Sequence, residues 1–288
     1  QEHGFSFVAV EGDWTNCWEL HQFVRGEHDV SETCRSILDD FDRWPTWLWA
    51  NWETLEFLDW LALHNRVADT DPVGFYGLDV YKLFESMTAV VNYLRDVDPV
   101  AAENAKDAYR CFEPYGEDAQ EYAQALQLVP ESCENEVVDI LTQIRERATQ
   151  YDHHQEAYFS AEQNALVVAN AEQYYRELIR GDVDSWNVRD RHMIETLDRL
   201  LSYHEPASKA IVWAHNSHIG DARATDMRAR KRINVGQLAR QHHGAEETAL
   251  IGMGTHHGRV IASNAWGSSQ GDYAVPPAQQ GSYEDIFH

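Results

Sequence analysis

The chain has 288 residues, of which 43% are hydrophobic, so it is long enough to bury a large core and is not intrinsically disordered. Its 48 acidic and 23 basic residues give a formal net charge of -25. A surface this acidic repels phosphate backbones, and the longest apolar stretches are far too short to span a bilayer. The composition therefore argues against nucleic acid and membranes as partners.

The four cysteines stand at positions 17, 34, 111 and 133, with no C-x-x-C pair and no metal-finger spacing. No positively charged and then apolar leader precedes the first apolar run. These two features predict four reduced thiols in a cytoplasmic protein.

Hydrophobic periodicity predicts the first secondary-structure elements in chain order. The run Phe5–Val10 predicts a buried strand, followed by a Ser-capped helix over Ser31–Leu38 and a long helix over Pro45–Asn65. A second strand is predicted over Val73–Gly77. A series of helices follows, over Tyr81–Arg95, Pro99–Cys111, Gly116–Leu128, Ser132–Gln150, Gln155–Arg180 and Ser185–His204.

The C-terminal quarter returns to strands alternating with helix. Strands are predicted over Ala210–Ala214, Thr248–Met253 and Arg259–Ala262, and a helix over Asn234–His242. The tail from Gly267 onward is rich in Gly, Ser, Gln and Pro, a composition typical of loops.

Strands separated by helices predict an α/β fold with a mostly parallel sheet, flanking helices and a large inserted helical lobe. We expect residues 1–80 and 205–266 to form the α/β core, with its N-terminal part incomplete. Residues 81–204 are expected to form the lobe and residues 267–288 a C-terminal tail.

Acidic or imidazole side chains follow each of four predicted strands, namely Glu11, Asp79, His215 with His218, and His256 with His257. The carboxyl ends of parallel strands share one edge of a sheet, which is where ligands collect. We therefore expect these groups to converge, although the second imidazole pair also fits a loop surface.

Each of these residues has a structural alternative. Glu11 lies on an apolar strand, where an unpaired carboxylate is costly, so it is an acid or base or part of an ion pair. Asp79 fits either the site or the N-cap of the next helix. The spacing of His215 and His218 admits zinc, but without a clear third ligand it favours acid–base chemistry. Trp14 fits either the core or a pocket wall.

The sequence contains no G-x-S-x-G nucleophile elbow and no Gly-rich phosphate loop. Cys17 and Cys34 lie in helical stretches and Cys111 and Cys133 in the predicted helical lobe, and all four are interpreted as packing residues. Hydrolysis by a base-activated water is therefore favoured over a covalent mechanism.

Seven blocks of the sequence resemble the erythromycin esterase family in the family's order: FSFVAVEGDW, RWPTWLWANWE, GFYGLDVYKLFESM, CFEPYG, AEQNALVVANAEQYYR, SWNVRDRHM and IVWAHNSHIGDARATDM. The resemblance implies an α/β core and a helical lobe with a deep cleft between them. It also implies hydrolysis of the lactone ester of macrolides by water that histidine and carboxylate activate, without an obligatory metal or other cofactor. The implied partner is a small-molecule ester substrate.

The resemblance assigns roles to individual residues. Glu11 matches the active-site glutamate of the V-A-x-E block, and His215 and His218 match the two histidines of the W-A-H-N block, so we assign all three to catalysis. Arg189 and Asp190 match the NVRDRHM block. We assign these two to substrate binding, together with Trp14 and Asp79.

The sequence departs from the family at one block. Family members carry G-E-x-x-H-G-x-x-E-F, whose His is the proposed water-activating base, and Glu2-His3-Gly4 echoes it without its spacing. We therefore expect an N-terminally shortened piece or a catalytically depleted relative, with weak or no esterase activity. The alternatives to an esterase are a binding module and a metal-dependent hydrolase centred on His215, His218 and Glu11.

Overall fold

A computed structural model describes residues 4–27, 33–43, 45–68, 71–116, 118–126, 128, 132–151, 155–179, 182–204, 207–265 and 267–288. The strands β1 (Phe5–Asp13), β2 (Gly74–Asp79) and β3 (Lys209–Trp213) form a parallel sheet in the order β2–β1–β3. The predicted parallel core is confirmed, and the strand nearest the N-terminus is its centre.

Helices make up most of the rest of the described chain. They are α1 (Trp14–Arg25), α2 (Cys34–Asp39), α3 (Trp52–Val67), α4 (Leu83–Val97), α5 (Pro99–Tyr109), α6 (Ala119–Ala125), α7 (Glu134–Glu146), α8 (Ala148–Tyr151), α9 (Gln155–Leu178), α10 (Asp182–His204), α11 (Asn216–Ile219), α12 (Val235–His243) and α13 (Tyr283–Phe287). None of these described helices combines the length and the apolar character that crossing a bilayer requires.

The two faces of β1 bury alternate residues in two different hydrophobic clusters. Phe7 and Ala9 pack with α9, α10 and α12 on one face. Val8 and Val10 pack with α1, α2 and α3 on the other. Because both faces are covered by helices, the strand is apolar along most of its length, as the run of hydrophobic residues predicted.

Helices α4 to α9 enclose a third hydrophobic cluster, which is the predicted helical lobe. Helix α9 belongs to both parts, because Leu166 and Val168 pack in the lobe while Phe159 and Val167 pack against the sheet. Helix α10 also packs against the sheet, through residues such as Met193. A long shared helix therefore joins the lobe to the core, and the division at residues 81–204 stays a prediction.

The long helix predicted over Pro45–Asn65 is wrong in its first part. A 3-10 turn covers Thr46–Leu48, and α3 begins only after Asn51. The Asn51 side chain accepts a hydrogen bond from the Thr54 backbone N–H at 2.8 Å and donates to the Trp47 carbonyl at 3.0 Å. Asn is a favoured N-cap because its side chain competes with the backbone in this way, and it restarts the helix here.

The N-cap of α2 lies two residues later than the sequence predicts. The Ser31 cap falls outside the described residues. Thr33 caps the described helix instead, since its side chain accepts a hydrogen bond from the backbone N–H of Ser36 at 3.2 Å.

The C-terminal region differs most from prediction. The segment Thr248–Met253 forms no strand, and Ile251 is 67% exposed. The strand β4 (Gly258–Ala262) pairs antiparallel with β5 (Gly271–Val275), outside the parallel sheet. The tail from Gly267 thus holds a strand and a helix as well as loops. The sequence did not predict this strand and helix, because the exposed hairpin buries little apolar surface and so has no clear hydrophobic pattern.

Cys111 and Cys133 form a disulfide. The expectation of reduced thiols is therefore wrong for this pair, whereas Cys17 and Cys34 are free and buried. The bridge ties the 3-10 helix Arg110–Tyr115 to the residue before α7. A separation of 22 residues gives no local motif, so only folding brings the two thiols together.

This disulfide predicts a thiol count. Unfolded in denaturant without reductant, the chain should expose two thiols to Ellman's reagent, and four after reduction. Reduction should lower the free energy of unfolding by about 3 kcal/mol, because the closed loop restricts the unfolded chain. The variant Cys111→Ser serves as control, since reductant should not destabilise it further. Four reactive thiols before reduction would contradict the bridge.

Candidate active site

The carboxyl ends of β1 and β2 approach unusually closely. The pairing register shifts on β1 between Val10 and Asp13, and Asp13 pairs with Asp79. A Cβ at Gly77 would collide with the carbonyl oxygens of Gly12 and Asp13, so only glycine allows this approach. Two carboxylates are thus brought together at one edge of the sheet, where they need cationic partners.

Arg189, on α10, is the central partner. Its Nε and Nη2 donate to the two carboxylate oxygens of Asp79 at 2.9 and 2.7 Å. Nη2 also donates to Oε1 of Glu11 at 2.7 Å. All three residues are buried, with Arg189 only 7% exposed. One guanidinium therefore joins both strands to α10 through paired, hydrogen-bonded charges.

A second arginine completes the ion pairing. Arg43, in the stretch between α2 and α3, donates from Nε to Asp13 at 2.8 Å and from Nη2 to Asp79 at 3.1 Å. The ring of Tyr81 lies against both guanidinium groups, 4.1 Å from Cζ of Arg43 and 5.0 Å from Cζ of Arg189. The aromatic face adds a cation–π attraction and helps to hold both arginines in place.

His218, on α11, joins the cluster from the β3 side. Its Nδ1 lies 3.0 Å from Oδ1 of Asp190, and its Nε2 lies 3.3 Å from Oε1 of Glu11. Trp186 stacks on the imidazole with a ring centroid distance of 4.7 Å. The Asp190 carboxylate also accepts the Val235 backbone N–H at 3.0 Å. The ring is thus held on both nitrogens and on one face.

His215 lies at the exposed side of this buried cluster. Its backbone N–H donates to Oε2 of Glu11 at 2.9 Å, and its Nδ1 lies 2.8 Å from Oγ of Ser217. The next residue, Asn216, makes two hydrogen bonds to the backbone of Met253, at 2.6 and 3.0 Å. Glu11 therefore fixes the backbone of the one imidazole of the W-A-H-N block that reaches solvent.

The surroundings set the protonation states of the cluster. Burial alone would raise the pKa of Glu11, but His218 and Arg189 lower it to about 2. Burial alone would lower the pKa of His218, but hydrogen bonds to Asp190 and Glu11 raise it to about 9. At neutral pH Glu11 is therefore ionised, and the two carboxylates favour the protonated form of His218 even though Nη1 of Arg189 lies 3.1 Å from its Nε2. Neither is available as a proton acceptor there, and together they form a fixed array of charges.

The two strand-end aspartates titrate in opposite directions. Burial alone would raise the pKa of Asp79, but Arg189 and Arg43 lower it. Burial raises the pKa of Asp13 despite the guanidinium of Arg43 beside it. Two carboxyl groups sharing one arginine are expected to behave in this way, because ionising both is unfavourable.

The structure brings together most of the residues that the sequence singled out. Five are joined by direct polar contacts, and His215 joins them through its backbone; the five are Glu11, Asp79, Arg189, Asp190 and His218. Asp79 does not cap α4, which begins after Lys82. The chemical roles assigned to these residues stay predictions.

Trp14 lies apart from the charged cluster. It is 1% exposed in the core, where it stacks on Trp18 and Tyr76. Trp18 instead lines a groove of about 430 Å³ between α1, α4 and α9. Among the described contacts, those of His256 and His257 are with His288 and with each other rather than with the charged cluster.

Four residues that contact the cluster were not predicted from the sequence, namely Asp13, Arg43, Tyr81 and Trp186. Two of them are close in sequence to a predicted site residue and could have been found in that way. Asp13 stands two residues after Glu11, and Trp186 stands one helical turn before Arg189. Arg43 begins the RWPTW block, but its partners are 30 and 36 residues away. Nothing local connects it to them.

The arrangement favours ion pairing over metal binding at Glu11, His215 and His218. Both ring nitrogens of His218 already face carboxylates, and Nδ1 of His215 faces Ser217. These atoms are therefore engaged with protein groups, and among the described residues these three do not form a group close enough to hold a metal ion.

Comparison with known proteins relates the whole chain to one family. The family model described as erythromycin esterase matches residues 1–288. A solved Bacillus cereus protein is 18% identical with a TM-score of 0.80, covering 99% of this chain and 67% of its own. A succinoglycan biosynthesis protein is 18% identical with a TM-score of 0.76, covering 96% and 64%. An EreC erythromycin esterase mutant in its open conformation is 15% identical with a TM-score of 0.66, covering 96% and 69%. The chain spans about two thirds of their lengths, and at these identities they establish the fold.

The ion pairing predicts a strong dependence of stability on Arg189. The variant Arg189→Ala leaves Glu11 and Asp79 as buried, unpaired carboxylates, and the free energy of unfolding should fall by about 3–5 kcal/mol. Urea unfolding measures the change. Arg259→Ala is the matched control, because its pair with Asp272 has similar 2.9 Å contacts but is exposed, and it should change stability by less than about 1 kcal/mol. Equal effects would contradict the assignment.

The protonated His218 predicts a particular pH dependence. Its pKa is raised from 6.5 to about 9 on folding, so its contribution is complete below about 6.5 and disappears as the pH rises through 9. The stability difference between the native chain and His218→Asn should therefore shrink by on the order of 3 kcal/mol between pH 6 and pH 10. Urea unfolding across this range, with NMR titration of the imidazole, provides the measurement. A constant difference would contradict the raised pKa.

Proposed function

The chain belongs to the erythromycin esterase family, and from this membership we propose that it is a carboxylic ester hydrolase whose attacking water is organised by Glu11 and His215. The observation that carries this proposal is the hydrogen bond from the His215 backbone to Glu11, which is itself held by Arg189. It ties the exposed imidazole to a buried, preorganised set of charges.

Ester hydrolysis by water needs a proton acceptor and a positive environment for the oxyanion that develops. In the proposed mechanism Arg189 and His218 supply the positive charge, and Glu11 keeps both in position. Their carboxylate partners hold them before the substrate arrives, so little reorganisation is needed during the reaction. His215 binds the attacking water at the exposed side.

The proposed mechanism also needs a group that accepts a proton from the attacking water. The family resemblance assigns it to the histidine of the G-E-x-x-H-G-x-x-E-F block, which this sequence does not contain. A general base typically contributes about 10²–10⁴ in rate. We therefore propose slow turnover by this chain alone, with His215 as the imidazole that can substitute as acceptor.

The proposed substrate is a small-molecule lactone of the macrolide type. One structural neighbour is named as an erythromycin esterase, and the family model carries the same description. A large cyclic ester is therefore the first compound to test.

A second candidate is binding of the same small molecules without turnover. The buried charges satisfy one another, and neither Glu11 nor His218 accepts a proton near neutral pH. A site of this kind can bind an ester carbonyl without cleaving it.

Mass-detected hydrolysis of erythromycin tests the proposal. The native chain should open the lactone slowly but above the blank, and His215→Asn and Glu11→Gln should reduce product to the blank level. His242→Asn is the matched control, because His242 is an exposed imidazole that contacts Asp198, which is not a member of the cluster. It should leave the rate unchanged. Circular dichroism verifies that each variant is folded.

The other outcomes are equally informative. Turnover that survives His215→Asn would contradict the role given to that residue. Saturable macrolide binding with no product from the native chain would support the binding candidate. Neither binding nor product would remove macrolides as the substrate class.

A further inference from the structure

Three imidazoles meet on the C-terminal segment, outside the ion-paired cluster. Among the described residues, one group of three or more His, Cys, Asp or Glu side chains converges closely enough to hold a metal ion, and it consists of His256, His257 and His288. Their ligand nitrogens all lie within 4.8 Å of one another. The Nδ1 atoms of His256 and His257 are 2.7 Å apart, and the rings of His256 and His288 stack at 3.8 Å.

The backbone brings two separate segments together to build this group. Ala278 donates its backbone N–H to the His256 carbonyl at 2.7 Å. A Cβ at Gly254 would lie 3.1 Å from Cγ of Glu284, so the loop before β4 packs closely against the start of α13. A carboxylate oxygen of Asp285 lies 4.0 Å from Nε2 of His256. The imidazoles are therefore held near one another by the fold and also have an acidic neighbour.

We propose that His256, His257 and His288 form a binding site for one divalent transition-metal ion of the zinc type. Zinc binds imidazole nitrogen at about 2.0–2.1 Å, which places tetrahedral ligands about 3.3 Å apart. The 2.7 Å contact and the 4.8 Å limit lie on either side of that separation, and the stacked rings of His256 and His288 have to turn so that their nitrogens point at one ion. Imidazole ligands select zinc, copper, nickel or cobalt over calcium and magnesium.

Charge favours an ion at this position. The chain carries a formal net charge of -25, which raises the local concentration of cations at its surface. On α13, Asp285 lies beside His256, and Glu284 lies beside Gly254 in the loop that leads to the imidazoles. A water molecule would supply the fourth ligand that tetrahedral zinc requires, while Asp285 faces the other ring nitrogen of His256 as an outer-shell partner.

The proposed role is structural. The metal would join α13 to the loop that contains His256 and His257, and that loop continues from Met253, which Asn216 holds beside His215. An ion here would therefore anchor the exposed C-terminal segment near the candidate active site without taking part in its chemistry. Loss of the ion should loosen this segment and leave the core intact.

Titration with Co²⁺ followed by absorption spectroscopy tests the site. The native chain should bind one ion with the d–d bands of tetrahedral cobalt, and Zn²⁺ should displace it. His257→Ala and His288→Ala should weaken binding by more than about 100-fold, since removing a mere outer-shell partner already weakens it by 10–100-fold. His242→Ala is the matched control, because His242 and His243 form another exposed pair facing one carboxylate, Asp198.

Thermal unfolding provides a second measurement that does not depend on the absorption of bound cobalt. Zn²⁺ should raise the melting temperature of the native chain and of His242→Ala, but not of His257→Ala. Absence of saturable binding up to millimolar Co²⁺ would overturn the proposal. Binding that is lost in His242→Ala and kept in His257→Ala would overturn it as well, by placing the ion at Asp198.

Discussion

The buried guanidinium of Arg189 is the interaction on which the rest of the site depends. Parallel pairing brings the carboxyl ends of β1 and β2 together, and both ends carry carboxylates, Glu11 on one strand and Asp79 on the other. Buried charges of one sign are tolerated only when a cation pairs with them in good geometry. Arg189 provides that pairing for both carboxylates at once, and so it also determines where α10 lies against the sheet. The same ion pairs of Arg189 therefore stabilise the fold and arrange the candidate active site.

This ion pairing shapes the chemistry that the site can support. Pairing holds Glu11 ionised and His218 protonated, so these groups provide a stationary field rather than proton transfer. In the proposed hydrolysis, a stationary field of this kind would stabilise the developing oxyanion. The same proposal gives proton transfer to a group at the exposed side, where His215 lies. The same compensation of charges explains why binding without turnover is the natural competitor to catalysis.

Sequence patterns predicted the fold best where burial is deep and local. The alternating environment of β1 follows directly from its apolar run, and the helices from Leu83 to His204 lie close to their predicted positions. Prediction failed at Asn51, where a side-chain cap interrupts an apolar pattern that suits a longer helix. It failed again after Gly244, because that region buries little apolar surface and periodicity then carries little information.

The sequence by itself determined which residues stand at the strand ends, since Glu11, Asp79 and His215 follow directly from the order of strands in a parallel sheet. The family resemblance added Arg189 and Asp190 without saying what they touch. Only the tertiary structure decided the pairing of Arg189 with Glu11 across 178 residues, the role of Arg43, the Cys111–Cys133 bridge and the meeting of three histidines. Local patterns record whether a side chain prefers burial or water. The choice of partner depends on distances that exist only after the chain has folded.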